Sequence, residues 1–333
     1  MNRYDSSDGT DIYGDDLQSS MMSKADTHVH TFYSGTTGYG PLRFPESIHS
    51  PEQQVDNARK NGMSVVCITD HSEIKGALRA AEYGKRYDDI DVVVGDEIMT
   101  ADGEIIGLWL NEFIKPEMTA EETMDEIRSQ GGIAIAPHPF SFYVRCLRDK
   151  IFELDLDGIE TINGGHPDPW TNSTAQKVWE QNPGRWAQIS GSDAHSPITS
   201  NYNWTEFPGQ GEEDFRKAIL EKTTVACGVP APEFTQVQWS LQVVTSGQMY
   251  ILKAMAGKLD PEDPNPLAQK AMSISTPKKV AGLIGGAIYC FPPIPFIAEH
   301  LATHWLKKQA KMLQQKYEED HDLAGKCLTQ SIR

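Results

Sequence analysis

The sequence predicts an α/β fold, a parallel β/α barrel with a helical C-terminal extension, and three observations carry that expectation. Short β-branched runs alternate with stretches of helical character from Lys24 to Gly228, the rhythm of repeated βα units. Five small clusters of His, Asp and Glu stand where such runs give way to loops: ADTHVHT, VVCITDH, VVVGDEI, IAIAPHP and ISGSDAH. After Gly228 the rhythm stops at two proline-rich stretches, GVPAPEF and LDPEDPNP. Strands of a parallel barrel all point their C-terminal ends to one face, so residues distant in sequence meet in one pocket there.

Taken in order, seven strands are centred on Thr27, Val66, Val93, Ala134, Ile159, Gln188 and Val225. A further apolar run, Ile105 to Leu110, follows the turn at 101–103 and reads as the return arm of a hairpin. Between strands, Pro51 suits a first helical turn and Gly62 the position past the end, while Thr119 and Glu122 have capping-box spacing. The division expected is a polar, acidic tail over residues 1–23, a barrel over 24–228 and a linker with helical extension over 229–333. Removal of the chain after Pro264 is expected to spare most turnover on small substrates.

Composition narrows the function. A net charge of -17 argues against a long clamp on duplex nucleic acid, which requires many Lys and Arg contacts to phosphate. Cys67, Cys146, Cys227, Cys290 and Cys327 are scattered and form no CxxC pair, which suits a reducing cytoplasm and excludes a thiolate zinc knuckle. No GxSxG elbow, dinucleotide fingerprint or P-loop occurs. In the extension, Val280 to Ala298 is apolar but interrupted by glycines and prolines, and Glu299 to Tyr317 is amphipathic and lysine-rich. Two readings stand for residues 280–318: packing against the barrel or a second copy, and peripheral attachment to an anionic membrane surface.

The clusters supply eight candidate metal ligands: His28, His30, Asp70, His71, Glu97, His138, Asp193 and His195. Alternation along a strand lets His28 and His30 face one pocket with Val29 turned away. Imidazole suits transition metals, and carboxylates lower the net charge of clustered cations and bridge them, with Glu97 the best bridge. Asp70 reads either as a ligand or as a group that orients a neighbouring histidine. His166 reads as a surface residue or as part of the same mouth, Asn163 and Asn172 on that rim as turn or capping residues or as substrate contacts, and Trp170, Trp179 and Trp186 as core.

HVHT, ITDH, GDE, APHP and GSDAH, in that order and at strand ends, resemble the PHP (polymerase and histidinol phosphatase) family of metal-dependent phosphoesterases over roughly Lys24 to Gly228. The resemblance implies a distorted seven-stranded, TIM-like barrel, two or three divalent cations (zinc, manganese or iron), and hydrolysis of a phosphate ester by metal-activated water. It implies that His28, His30, Glu97 and Asp193 hold one cation, that Glu97 reaches a second bound by His138, and that His71 and His195 hold a third. Asp193, His195 and Glu97 would act in catalysis, with His195 or a water protonating the leaving group. Phosphate monoesters, nucleotides and oligonucleotide ends are the substrates implied, with phosphatase or exonuclease activity.

The chain departs from the pattern twice. Ser34 is followed by Gly35 and Thr36 where the family often has an aspartate ligand, and Glu104 replaces a histidine seven residues after Glu97, a ninth candidate ligand that binds as a carboxylate and prefers harder cations. Arg43, Arg145 or Arg148 are the candidates to grip a phosphate oxygen if the third cation is weak. A different class of function, a non-catalytic barrel stabilised by metal and serving as a partner or membrane-surface scaffold, is the alternative.

Overall fold

A computed structural model of the chain describes residues 22–37 and 44–321. The expected tail before residue 22, Arg43 and Cys327 lie outside the described residues, as do the side chains of the acidic run Glu318 to Asp320.

The barrel runs β1 (Met22–Val29), β2 (Thr36–Thr37), β3 (Phe44–Pro45), α1 (Pro51–Lys60), β4 (Val65–Ile68), α2 (Lys75–Gly84) and β5 (Asp91–Met99). It continues through β6 (Glu104–Leu108), α3 (Ala120–Ser129), β7 (Ile133–Ala136), β8 (Gly158–Asn163) and α4 (Pro169–Gln181). It finishes with β9 (Ala187–Gly191), β10 (Asn203–Pro208), α5 (Gly211–Glu221) and β11 (Val225–Gly228). The helix starts follow local chemistry: Ser50 with Gln53 and Thr119 with Glu122 form reciprocal capping boxes on α1 and α3.

The main sheet has nine strands in the order β11-β10-β1-β4-β5-β6-β7-β8-β9. The seven strands expected from sequence are β1, β4, β5, β7, β8, β9 and β11, and the pairings make them all run one way. Two reversed strands bring the count to nine: β6 is the hairpin arm expected from sequence, and β10 corrects the expected count. β6 is inserted between β5 and β7, and β10 between β1 and β11. The sheet closes where Val29 bridges Ala194 beyond β9, reinforced by the His30 N–H donating to the Ala194 carbonyl at 3.0 Å.

Packing leaves one end of the barrel open. Phe215, Ala218 and Ile219 of α5 join Ala25, Val65, Ile133 and Ala187, residues at or near the starts of the parallel strands, in one buried cluster. Helix α5 therefore plugs the bottom, and the strand C-termini at the top are left for polar side chains. Helices α1 and α2 cover the flank of β4 through Val55, Ala58, Ala77 and Ala80.

The extension comprises α6 (Glu233–Met255), α7 (Pro266–Ser273), α8 (Thr276–Tyr289) and α9 (Ile294–His321). It is tied to the barrel. Ala310 and Tyr317 of α9 enter the same buried cluster as Phe140 and Ile151, and the Tyr317 hydroxyl donates to Asp149. Gln242 of α6 accepts from Ser196 beside the ISGSDAH loop, and Trp239 packs edge-on to Phe44. Among the described residues no single helix is long and apolar enough to cross a membrane, although α8 and α9 together meet that composition with an 83° bend between them.

Candidate metal centre

Five of the parallel strands, β1, β4, β5, β7 and β9, deliver one or two candidate ligands each to the open end of the barrel. His28 and His30 flank Val29, whose side chain packs outward against Val55 and Val66. His28 Nε2 lies 3.2 Å from Glu97 Oε2 and 3.6 Å from Asp193 Oδ1, and His30 Nε2 lies 3.4 and 3.2 Å from the same two oxygens. His71 Nδ1 is 2.9 Å from Glu97 Oε2, and His138 Nε2 is 3.0 Å from Glu97 Oε1. Four imidazoles thus face one carboxylate.

Glu104 joins them because β6 is reversed. Its N-terminal residue lies at the top of the barrel, and its register, Met99 opposite Glu104, puts Glu104 diagonal to Glu97 on one face. Its Oε2 is 3.6 Å from His138 Nε2. Two loop ligands hold positive backbone angles, His138 with φ 28° and Asp193 with φ 51°, a sparsely populated region for residues with a Cβ.

The donor set fits cations. His28 Nε2, His30 Nε2, His71 Nδ1 and Glu97 Oε2 are buried and have no hydrogen-bond partner among the described residues. Such groups are costly to bury unsatisfied, and a coordinated cation removes that cost. Among the described residues three sets have ligand atoms within 4.8 Å of one another: His28, His30 and Glu97; His71, Glu97 and Glu104; and His30, His71 and His195. They share members, so the positions are adjacent and Glu97 stands between two.

Hydrogen bonds set the histidine tautomers. His28 Nδ1–H donates to Glu160 Oε1 at 3.0 Å, His30 Nδ1–H to Ser34 Oγ at 3.0 Å, and His195 Nδ1–H to the Asp193 carbonyl at 3.0 Å. Each leaves Nε2 unprotonated and facing inward, the form a metal requires. Electrostatics agree. Burial opposes ionisation of Glu97, yet His28, His71 and His138 hold its carboxyl well below the usual range. Burial and the charge of Glu97 push Glu104 up to about 7. Burial pulls His138 down, but Glu97 raises it to about 9, so without cations the cluster gathers protons instead.

Several expectations are corrected. Asp70 is not turned to the pocket: its Oδ1 accepts from the Thr31 N–H and from Ser34, its Oδ2 from the Thr31 hydroxyl. It positions Ser34, which in turn holds His30 and accepts the His71 N–H at 3.3 Å. His166 is buried rather than superficial, stacked between His138 and Tyr143, with hydrogen bonds to Asn163 and Ser141. Asn163 is more than a turn residue, because its side-chain amide donates to both Glu160 and Asp193. Asn172 caps the Asn163 backbone. Arg145 is spent on Glu117 and the Thr100 carbonyl, and Arg148 reaches the Ser141 carbonyl. Trp186 is core, as expected.

Two functional carboxylates escaped the sequence. Glu160 lies under the site, accepting from His28 on one oxygen and from the His138 N–H (2.8 Å) and Asn163 (2.8 Å) on the other. The available signal was a lone Glu in the buried strand GIETIN, which must have a partner. Glu46 reaches the mouth from the segment after β3, with Oε2 3.3 Å from His195 Nε2. Nothing local distinguished it from a surface Glu.

A family model described as the PHP domain matches residues 26–130. The chain is 47% identical over 152 residues to the uncharacterized protein MJ1587 of Methanocaldococcus jannaschii, covering 46% of this chain and 88% of that one. Among solved structures, PsfC from Pseudomonas syringae aligns over 62% of this chain and 92% of its own with 18% identity and a TM-score of 0.48. The lesion-specific endonuclease PfuEndoQ from Pyrococcus furiosus aligns over 60% of this chain and 56% of its own, with 14% identity and a TM-score of 0.44.

Proposed function

Because this chain belongs to the PHP domain family, we propose that its barrel is a metal-dependent phosphoesterase. The substrate is a phosphate mono- or diester small enough to enter the open end: a phosphorylated metabolite, a nucleotide or an oligonucleotide end. The observation that carries this reading is the convergence of His28 Nε2, His30 Nε2, His71 Nδ1 and Glu97 Oε2, all buried and without hydrogen-bond partners among the described residues. Two or three divalent cations bound there would supply Lewis acidity and charge neutralisation for phosphoryl oxygens and an attacking water.

The chain's own groups divide the remaining work. His28, His30, Glu97 and Asp193 hold one cation; Glu97 with His138, and with Glu104 in place of an imidazole, holds its neighbour. Glu160, Asn163, Ser34 and Asp70 fix the orientation of those ligands from behind. The floor is dry, whereas Asp193, His71 and His195 keep 13, 26 and 23% of their side chains exposed at the mouth, where an ester can approach. Asp193 is the carboxylate at that boundary, and we assign it to accept the proton of the attacking water. Glu104, a carboxylate where a histidine would be softer, shifts the site toward harder cations such as manganese.

The test uses the full chain loaded with Mn²⁺ or Zn²⁺ and assayed on p-nitrophenyl phosphate, bis(p-nitrophenyl) phosphate, nucleotides and short RNA. His28→Ala and Asp193→Asn are each expected to lower turnover by about 100-fold or more with circular dichroism unchanged. Folded variants retaining the wild-type rate would place the hydrolysis elsewhere.

A further inference from the structure

We propose that Glu46 is a cation ligand, completing with His71 and His195 a position at the mouth of the barrel. This rests on the metal-dependent reading above. The corner formed by His30, His71 and His195 is all imidazole: their nitrogens cluster within 4.8 Å, and the rings of His30 and His195 stack at 4.3 Å. A divalent cation held by neutral imidazoles alone keeps its full charge. One carboxylate oxygen halves that charge and hardens the site. Glu46 Oε2, 3.3 Å from His195 Nε2, is the carboxylate oxygen facing that nitrogen, and His195 Nδ1–H is already committed to the Asp193 carbonyl.

The backbone explains why this residue, so far along the chain, arrives there. Gly35 has φ 79° and ψ -132°, a combination essentially closed to residues with a Cβ, so an aspartate cannot occupy that turn without strain. The glycine instead turns the chain into the β2–β3 ribbon, Thr36 opposite Pro45 and Thr37 opposite Phe44. The Glu46 N–H donates back to the Gly35 carbonyl at 3.0 Å, and the Phe32 N–H to the His49 carbonyl at 2.9 Å. The ribbon is pinned at its base, and the residue that leaves it is Glu46. Trp239 of α6 backs the ribbon through Phe44.

Metal content decides the matter without reference to turnover. Full-length wild type, Glu46→Gln and Glu46→Asp would be dialysed to equilibrium against graded free Mn²⁺ and the bound metal counted by mass spectrometry. Glu46→Gln is expected to lose one equivalent, or to need about tenfold more free Mn²⁺ to fill it, while the tighter ions stay; Glu46→Asp is expected to lie between. If Glu46→Gln fills every wild-type equivalent at the same free metal while His195→Ala loses one, Glu46 only pairs with a protonated His195 and the proposal is overturned. If wild type binds no metal, the phosphoesterase reading falls as well.

A separate observation concerns the extension, and we infer that α8 and the first half of α9 dock on an anionic lipid bilayer. Ile284, Ile288, Phe291, Leu301 and Trp305 are exposed on these helices, Phe291 at 67% and Leu301 at 62%. Residues 276–317 also hold Lys278, Lys279, Lys308, Lys311 and Lys316, besides Lys307 paired with Glu233, against the single acid Glu299 of that segment, in a chain of net charge -17. Apolar side chains interleaved with lysines and a Trp match the interface of a negatively charged membrane. Full-length protein is expected to float with phosphatidylcholine vesicles containing phosphatidylglycerol, not with phosphatidylcholine alone, and to lose binding in Phe291→Asp. Failure to float with either, or a dimer in solution that Phe291→Asp dissolves, would overturn the inference.

Discussion

Glu160→Gln probes the support beneath the metal centre with the least change in shape. One Glu160 oxygen accepts two donors that cannot reverse, the His138 backbone N–H and the Asn163 amide, each at 2.8 Å. A glutamine must keep its carbonyl oxygen there, which turns its NH₂ toward His28 Nδ1, 3.0 Å away in the wild type. His28 Nδ1 then has to accept, and the ring proton moves to Nε2, the atom 3.2 Å from Glu97 Oε2. A cation binding at Nε2 must first reverse that tautomer and break the new hydrogen bond. Hydrogen bonds to charged groups contribute about 1.5–3 kcal/mol, so Mn²⁺ affinity should fall about 10–100-fold. Isothermal titration of metal-free protein gives the affinity directly, and ¹⁵N spectra of the imidazoles report the tautomer. An affinity within about threefold of wild type, or His28 still carrying its proton on Nδ1, would refute the reasoning.

Three further outcomes follow from the same geometry. Stripping metal with a chelator should lower Tm by on the order of 10 °C, since ligand at about a thousandfold excess over Kd stabilises by about 4 kcal/mol; an unchanged melt would mean the buried donors hold no cation. Gly191→Ala places a Cβ 2.3 Å from Glu160 Oε1 and 2.5 Å from His28 Cβ, so it should cost about 1–3 kcal/mol of stability and weaken metal binding, whereas wild-type values in urea melts and metal titration would show that β9 can recede. Truncation after Pro264 removes Ala310 and Tyr317 from the buried cluster around Phe140, so a lower Tm is expected for the truncated chain even where turnover on small esters survives, and an equal Tm would show that α9 adds nothing to the stability of the barrel.

The extent to which the site could be read from the chain varied with the kind of residue. Of the strands running toward the site, β4, β5 and β7 were legible because VVCI, VVV and IAIA are short continuous apolar runs, and β1 and β9 because ligand-bearing residues mark their ends. β10 was not: in NWTEFP the buried alternates are Asn203, Thr205 and Phe207, two of them polar, with the Asn203 amide donating to Ser190 and Gly191 and the Thr205 hydroxyl bonded to Ser190 of β9. Asp70 looked like a ligand by its place in ITDH, yet an aspartate beside a histidine has no local mark of which way it faces, and Thr31 and Ser34 claim it.

What the sequence determined by itself was the direction of the strands and the chemistry at their ends, because strand periodicity and ligand type are properties of a few adjacent residues. The tertiary structure decided which of those groups meet, which stand behind, and which arrive from elsewhere. Glu160 under His28 and Glu46 beside His195 depend on pairings across more than a hundred residues. Those pairings are fixed by barrel closure and burial, which no short stretch of chain contains.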